Sequence, residues 1–111
     1  VVVLDKHGNT VVSLKEDDAS FFRVEVAKGK AWGCVAMGES SRGLAEKAKS
    51  NPAFVNGLTV TSKGRILPNP GAVQIKENNN IIGSVGISGD KGENDEKICI
   101  EAVKKNGLDT N

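Results

Sequence analysis

The chain has 111 residues, enough for one hydrophobic core, and we predict a single domain over residues 1–111. Its 15 Lys and Arg balance 14 Asp and Glu, and its aromatic residues are three Phe and one Trp, a composition that argues against a nucleic-acid-binding protein. There is no apolar run of about 18 residues to predict a membrane span, and no charged-then-apolar leader, so we expect a cytoplasmic protein.

The first 15 residues predict a β-hairpin. VVVLD is a continuous β-branched run of the kind found in a strand buried on both faces, KHGN is a turn signal, and TVVSLKED reads as the return strand. Because a buried strand seldom opens a domain, we expect a further element to precede it.

Residues 20–37 predict a helix, with Ser20 as its N-cap and Gly38 just past its end. Gly29 and Gly33 each cost about 1 kcal/mol relative to Ala within a helix, so close packing on both sides is expected. At helical spacing, the side expected to face a sheet carries Phe21, Val24, Ala31, Trp32 and Val35. The other side carries Arg23, Val26, Ala27, Lys30, Gly33, Cys34 and Met37.

The middle of the chain predicts a short second helix, capped by Ser40 or Ser41, and one further helical turn in PAFVNG that ends at Gly57. We interpret residues 58–71 as a loop leading into a short edge strand around residues 65–67, since Gly64, Pro68 and Pro70 leave room for little else.

The last third predicts two strands, AVQIK and IIGSVGIS, around the turn ENNN, followed by a final helix after GDKGEND. The buried face of that helix is expected to carry Ile98, Cys99, Ala102 and Val103. The resulting order, β-β-α-α-β-β-β-α, favours an α+β fold in which an antiparallel sheet of five strands is covered by helices.

Gly83, Gly86 and Gly89 recur every third residue, which predicts close approach of the backbone to another part of the protein, a partner subunit or a ligand. A phosphate cradle is disfavoured, because the run contains neither GxGxxG nor Gly-Lys-Ser/Thr and the following loop carries Asp90, Glu93 and Asp95.

Three residues seven positions apart, Arg23, Lys30 and Met37, share one face of the first helix. The two cations could pair with carboxylates such as haem propionates, and the thioether could approach iron. Surface or inter-subunit ion pairs and gap filling by Met37 are the simpler alternative. His7, the only histidine, is either an axial ligand to a metal or haem iron or a solvated turn residue.

Other candidate groups suggest little chemistry. Cys34 and Cys99 are expected to be buried free thiols, although a disulfide stays open, and the lack of a CxxC or Cys/His cluster argues against structural zinc. The adjacent carboxylates Asp95 and Glu96 are interpreted as solvated acids at a helix start. We predict no catalytic residue, since no nucleophile–base signature is present.

Several segments together resemble the GlcG/HbpS-like haem-degrading family, which includes the C-terminal domain of PduO-type proteins. The family's D-x-x-G hairpin matches residues 5–8, its Lys-Ala pair matches residues 30–31, its P-G-G-V-P-I matches residues 70–75, and its G-x-x-G-V-S-G matches residues 83–89, followed by Asp95-Glu96. Ala72 and Gln74 depart from the pattern, and the helix that normally precedes the first strand is absent from this sequence.

The resemblance implies a profilin-like α/β sandwich with a five-stranded antiparallel sheet, assembly into homo-oligomers, and haem as cofactor. We therefore expect a homo-oligomeric protein that binds haem or another small flat ligand through Arg23, Lys30, Met37 and His7. Two alternatives stay open: a non-catalytic assembly or accessory module whose glycine-rich faces serve subunit packing, and an enzyme that degrades haem or a small metabolite.

Overall fold

In the computed structural model, which describes residues 1–110, a four-stranded antiparallel sheet lies between helices on its two faces. The strands are β1 (Val2–Asp5), β2 (Thr10–Ser13), β3 (Ala72–Glu77) and β4 (Asn80–Gly86). The helices are α1 (Phe22–Met37), α2 (Ser41–Ser50), α3 (Pro52–Thr61) and α4 (Gly92–Lys105). The sheet order is β2-β1-β4-β3, so β1 is a central strand and β2 an edge strand.

Both predicted hairpins are present. Between β1 and β2, the Asp5 carboxylate accepts hydrogen bonds from the backbone N–H groups of His7 (2.9 Å) and Asn9 (3.0 Å). The bond from Asn9 is the main reason that the pKa of Asp5 lies below its usual value. Between β3 and β4, Asn78 and Asn79 adopt left-handed φ angles of 49° and 67°, which asparagine tolerates better than most residues.

The prediction for α1 is correct in extent and partly correct about its buried face, because Ala31, Val24 and Trp32 pack in the core cluster on the sheet. The helix starts at Phe22, so its N-cap position is Phe21 and not Ser20 as predicted, although the Ser20 hydroxyl accepts from Phe22 N at 3.2 Å. Gly38 ends the helix with φ 69°, as predicted. Of the side chains expected to face the sheet, Ala31 is fully buried, whereas Phe21 is 82% exposed. The fully buried residues are mostly small, and all except Ala31 come from the face that was not expected to meet the sheet: Ala27, Lys30, Ala31, Gly33 and Cys34. Small side chains are needed because the backbone of α1 comes very close to β4.

Two predictions for the middle of the chain are wrong. The helical turn expected to end at Gly57 continues as α3 to Thr61, and the fifth strand expected around residues 65–67 is not a strand. Leu67 N donates to Gly29 O of α1 at 3.1 Å, and Ile66 is only 4% exposed. This segment therefore pairs with the backbone of a helix rather than with the sheet, and Gly29 permits the approach because Leu67 Cβ would lie 3.0 Å from any Cβ there.

The hydrophobic core has one part on each face of the sheet. The part between α1 and the sheet consists of Val2, Leu4, Ala27, Ala31, Cys34 and Ala72. The part between α4 and the sheet consists of Val73, Val85, Cys99 and Val103. Cys34 and Cys99 are buried free thiols, as predicted. Ile98 and Ala102, expected on the buried face of α4, are exposed. Within residues 1–110, no helix combines the length and the apolar character that crossing a membrane requires.

The spaced glycines of β4 serve packing inside the chain. A Cβ at Gly83 would collide with the carbonyl oxygen of Leu4 in β1, and one at Gly86 would collide with that of Ala27 in α1. Around Gly89 there is open space. Of the partners that the sequence left open for Gly83 and Gly86, the structure shows a neighbouring strand and a helix of the same chain.

Candidate functional site

A cavity of about 550 Å³ lies at the N-terminal end of α1, and we call it cavity 1. It is bordered by the segment after β2, the first turn of α1 and the segment that follows β4. Its apolar wall includes Leu14, Ala19, Val24 and Ile87, and its polar lining includes Lys15, Arg23, Ser88 and one carboxylate, Glu16. The volume lies within the usual range of small-molecule sites, roughly 300–1,000 Å³.

The two cations of cavity 1 differ in how far the protein already uses them. Lys15 Nζ donates to the carbonyl oxygens of Glu16 (2.9 Å) and Ala19 (3.0 Å), so its ammonium stabilises its own loop. Arg23 Nη1 lies 3.3 Å from the hydroxyl of Ser88. Across residues 1–110, no carboxylate lies within 4.0 Å of the Arg23 guanidinium. Arg23 is therefore the cation available to an anionic group that enters cavity 1.

Behind the wall of cavity 1, a buried ion pair joins Lys30 of α1 to Asp95 of α4. Lys30 Nζ lies 3.7 Å from Asp95 Oδ2 and donates to Ile87 O at 3.1 Å. Asp95 also accepts from the backbone N–H groups of Gly89 (3.5 Å) and Asp90 (3.1 Å). The pair thus holds the segment 87–90, part of which lines cavity 1.

The interpretation of Asp95 and Glu96 as solvated acids is wrong. Asp95 is 1% exposed because it binds Lys30 and two backbone N–H groups. Glu96 is also buried, and both of its carboxylate oxygens lie 3.0 Å from Arg42 Nε. The two carboxylates therefore connect α4 to different neighbours, Asp95 to α1 and Glu96 to α2.

The four residues predicted to bind a ligand lie in different environments. Arg23 lines cavity 1, and Lys30 is inside the protein at 3% exposure. Met37 is the last residue of α1, fourteen positions after Arg23 and therefore about 21 Å along the helix axis. His7 is exposed in the β1–β2 turn, whose Gly8 contacts Trp32, nine positions after Arg23. Within one chain, the structure does not bring the four residues together.

A second cavity of about 450 Å³ lies beside the β1–β2 turn, and we call it cavity 2. Its lining contains Lys28 and Trp32 of α1 together with Lys63 and Arg65 from the segment after α3. The Arg65 guanidinium carbon lies 4.5 Å from the centre of the Trp32 ring. Sequence reasoning missed this site because residues 63–65 were interpreted as a loop and a short strand with no expected neighbour.

In the described part of the chain, no group of three or more His, Cys, Asp or Glu side chains could hold a metal ion. Burial raises the pKa of both thiols, Cys34 and Cys99, to about 12. Both cysteines are therefore protonated structural residues at neutral pH.

A family model described as "Haem degrading protein HbpS-like" matches residues 1–104. The chain belongs to this family. The resemblance seen in the sequence is therefore confirmed over nearly the whole chain.

Two curated relatives of this HbpS-like chain differ in how much of their length it covers. The corrinoid adenosyltransferase PduO of Salmonella typhimurium is 30% identical over 103 residues, which make up 93% of this chain but 30% of PduO. A 15.0 kDa protein in the dhaT-dhaS intergenic region of Citrobacter freundii is 27% identical over 91% of this chain and 70% of its own length. The HbpS-like chain thus spans under a third of PduO.

Solved structures of the family match the fold. The PduOC:haem complex superposes with a TM-score of 0.87 at 28% identity, over 98% of this chain and 78% of the other. The ORFY protein of Klebsiella pneumoniae superposes with a TM-score of 0.82 at 25% identity, over 93% of this chain and 70% of ORFY. A double mutant of HbpS from Streptomyces reticuli superposes with a TM-score of 0.78 at 23% identity, over 94% of this chain and 68% of HbpS. At that identity the match supports the fold alone.

Proposed function

We propose that this HbpS-like chain binds haem in cavity 1, as a subunit of a homo-oligomer. The observation that carries the proposal is Arg23, a cation without a carboxylate partner in residues 1–110, on the rim of a cavity whose wall is largely apolar. The similarity to a PduO domain whose structure contains haem supports the same ligand class.

The lining of cavity 1 suits a porphyrin in two respects. Its apolar side chains can cover the flat ring, and Arg23 can form a charge-assisted pair with a propionate. None of the lining residues is His, Met, Cys or Tyr, the usual protein ligands of haem iron. We therefore propose that affinity comes mainly from the ring and its carboxylates, and that any axial ligand comes from outside cavity 1.

The other predicted binding residues have separate roles in this proposal. Lys30 acts as a positioning residue, because its ammonium holds Ile87 O and so the wall on which the ring would rest. His7 and Met37 lie away from cavity 1 of their own chain. They would reach the ligand only from a neighbouring subunit of the oligomer.

Haemin titration followed by the Soret band tests the proposal. A saturable shift is expected, and Arg23→Gln should weaken binding by about tenfold, the loss of one charge-assisted hydrogen bond. Lys97→Gln is the control, since it also removes one positive charge, lies on α4 outside both cavities and should leave haemin affinity unchanged. No saturable shift in the unmodified protein, or equal effects of the two substitutions, would overturn the assignment.

Metal-free protoporphyrin IX separates ring binding from iron ligation. It should bind nearly as well as haemin if the apolar wall and Arg23 provide most of the affinity. His7→Ala and Met37→Leu should leave its affinity unchanged and alter only the haemin spectrum of the assembled protein. A large loss of haemin affinity in either variant, with metal-free porphyrin binding poorly to the unmodified protein, would show that iron ligation dominates.

Exposed apolar residues near cavity 1 support self-association. Two of them, Val11 (62% exposed) and Leu14 (64%), lie on β2 and directly after it, and two, Phe21 (82%) and Phe22 (62%), lie at the start of α1. β2 is also an edge strand: it pairs with β1 on one side and, among the described residues, has no neighbouring strand on the other. Light scattering should show an oligomer that Phe21→Ser/Phe22→Ser dissociates. If the oligomer forms but its stability is unaffected by haemin and no Soret shift occurs, the assembly-module alternative is favoured.

A further inference from the structure

We infer that cavity 2 is a separate binding site for a small phosphate-bearing ligand. Its titratable lining consists of Lys28, Lys63, Arg65 and one carboxylate, Glu25. Three cations and one carboxylate leave a net charge of +2. That charge complements a phosphate monoester, which carries about −1.5 to −2 at pH 7. The site differs from cavity 1 in place and in polarity, so this inference does not depend on haem binding.

Within residues 1–110, the cations of cavity 2 have no carboxylate partner. Among residues 1–110, ion pairs within 4.0 Å join Lys30 to Asp95, Arg42 to Glu96 and Lys47 to Glu39, and none involves a residue of cavity 2. Glu25 and Lys28 lie one turn apart on α1, yet they are not within that distance of each other. Like charges placed together without counterions repel each other, and a bound dianion would remove that cost.

Arg65 is oriented as an anion-binding arginine would be. Its Nε donates to Ser62 O at 2.8 Å, and its guanidinium is stacked 4.5 Å from the centre of the Trp32 ring. These two contacts restrict the plane of the guanidinium without using its terminal Nη groups. Those groups can therefore donate to a phosphate oxygen at little further entropic cost.

The backbone after α3 brings the second lysine to this site through an unfavourable conformation. Lys63 has φ 59° and Gly64 has φ 78°, so two consecutive left-handed residues redirect the chain from α3 toward α1. A lysine with positive φ is uncommon and costs about 1–2 kcal/mol. The simpler role for Lys63 is to offset the negative end of the α3 dipole, and the experiment below separates the two roles.

Trp32 makes the site directly measurable. It is the only tryptophan, and the chain has no tyrosine, so protein fluorescence reports on cavity 2. Titration with inorganic pyrophosphate at constant ionic strength should change that fluorescence saturably. Inorganic phosphate should give the same change at higher concentration, and succinate, a dicarboxylate, should bind more weakly than either. Equal responses to succinate and pyrophosphate would reject phosphate as the ligand class.

Substitutions identify the residues responsible. Lys28→Gln and Lys63→Gln should each weaken pyrophosphate binding by about tenfold, the effect of losing one charge-assisted contact. Lys97→Gln removes an exposed lysine of α4, on the other face of the sheet, and should have no effect. Arg65→Lys keeps the charge but loses the stacked, forked donor, and should also weaken binding.

Besides an equal response to succinate, three results would overturn the inference: no saturable response of the unmodified protein, an equal response to sodium chloride, or unchanged affinity in both Lys28→Gln and Lys63→Gln. If Lys63→Gln lowers only the thermal midpoint and leaves pyrophosphate affinity unchanged, Lys63 acts on the helix end and is excluded from the site. Circular dichroism of each variant confirms that it is folded. Haemin binding by the same preparations is scored separately, so failure of one site leaves the other testable.

Discussion

Lys30 and Asp95, separated by 65 positions in the chain, form a buried ion pair in which Nζ lies 3.7 Å from Oδ2. Their side chains are 4% and 1% exposed, so water screens the pair little. Gly71 makes room for it, because a Cβ at that position would lie 2.6 Å from Lys30 Nζ. One ion pair therefore joins α1 to α4 past the edge of β3 and also fixes the wall of cavity 1.

Removing one partner of this pair should be strongly destabilising. Lys30→Met leaves Asp95 buried without its cation, and we expect the free energy of unfolding to fall by about 3–5 kcal/mol. Urea denaturation followed by circular dichroism measures the change. The double variant Lys30→Met/Asp95→Leu should lose less than the sum of the two single variants, because no uncompensated charge is left.

An exposed ion pair provides the control for this prediction. Lys47 and Glu39 are in contact at 2.6 Å, but the Lys47 side chain is 52% exposed, so Glu39→Gln should cost less than about 1 kcal/mol. Equal losses in Lys30→Met and Glu39→Gln would contradict the importance assigned to the buried pair.

Local sequence signals predicted the elements whose ends are set by neighbouring residues. The turn asparagines at 78 and 79 and the terminal Gly38 adopt the left-handed conformations that their residue types favour. The prediction of a fifth strand was wrong for the opposite reason. The backbone N–H of Leu67 bonds to Gly29 O in α1, a partner 38 positions away that no local pattern indicates.

The candidate site was predictable only where a charged residue has no counterion from a distant part of the chain. Arg23 was identified from its helix face, and it does line a cavity. Lys30 has the same helical spacing but is buried, because its counterion comes from α4. Asp95 looked solvated for the same reason. Cavity 2 depends on Arg65 reaching Trp32 across 33 positions, and periodicity carries no information on such contacts.

Two glycines should respond in opposite directions to replacement by alanine. At Gly86 of β4 a new Cβ would collide with the carbonyl oxygen of Ala27, a backbone atom that cannot turn aside. Gly86→Ala should therefore destabilise the fold by at least about 1–3 kcal/mol. At Gly57, inside α3, no atom outside the adjoining helix backbone lies within 4 Å of the added Cβ, so Gly57→Ala should stabilise by up to about 1 kcal/mol through helix propensity.

The same denaturation assay tests both glycine variants. Gly89→Ala is a useful third variant, since open space surrounds Gly89 and no collision is expected. If the Gly86→Ala protein is as stable as the unmodified one, α1 can move away from β4. Because α1 carries Arg23 and Lys30, these two residues would move with it.

Because of the buried thiols, the free energy of unfolding should depend on pH in the alkaline range. Burial raises the pKa of Cys34 and Cys99 to about 12, whereas an exposed thiol in the unfolded chain has a pKa of about 8.5. Above pH 8.5 the unfolded chain loses protons that the folded chain keeps, so the unfolded state binds fewer protons and the free energy of unfolding falls as pH rises. The fall should continue up to about pH 12, where the native thiols also ionise.

Thiol chemistry and denaturation together check this prediction. At pH 8, native protein should react with a thiol reagent only as fast as it opens, and urea should release two reactive thiols per chain, since Cys34 and Cys99 are both free. Cys34→Ala/Cys99→Ala will be less stable at neutral pH because it leaves cavities, but its free energy of unfolding should vary less between pH 8.5 and 10.5. Rapid labelling of either thiol in the folded protein would contradict the burial that raises both pKa values.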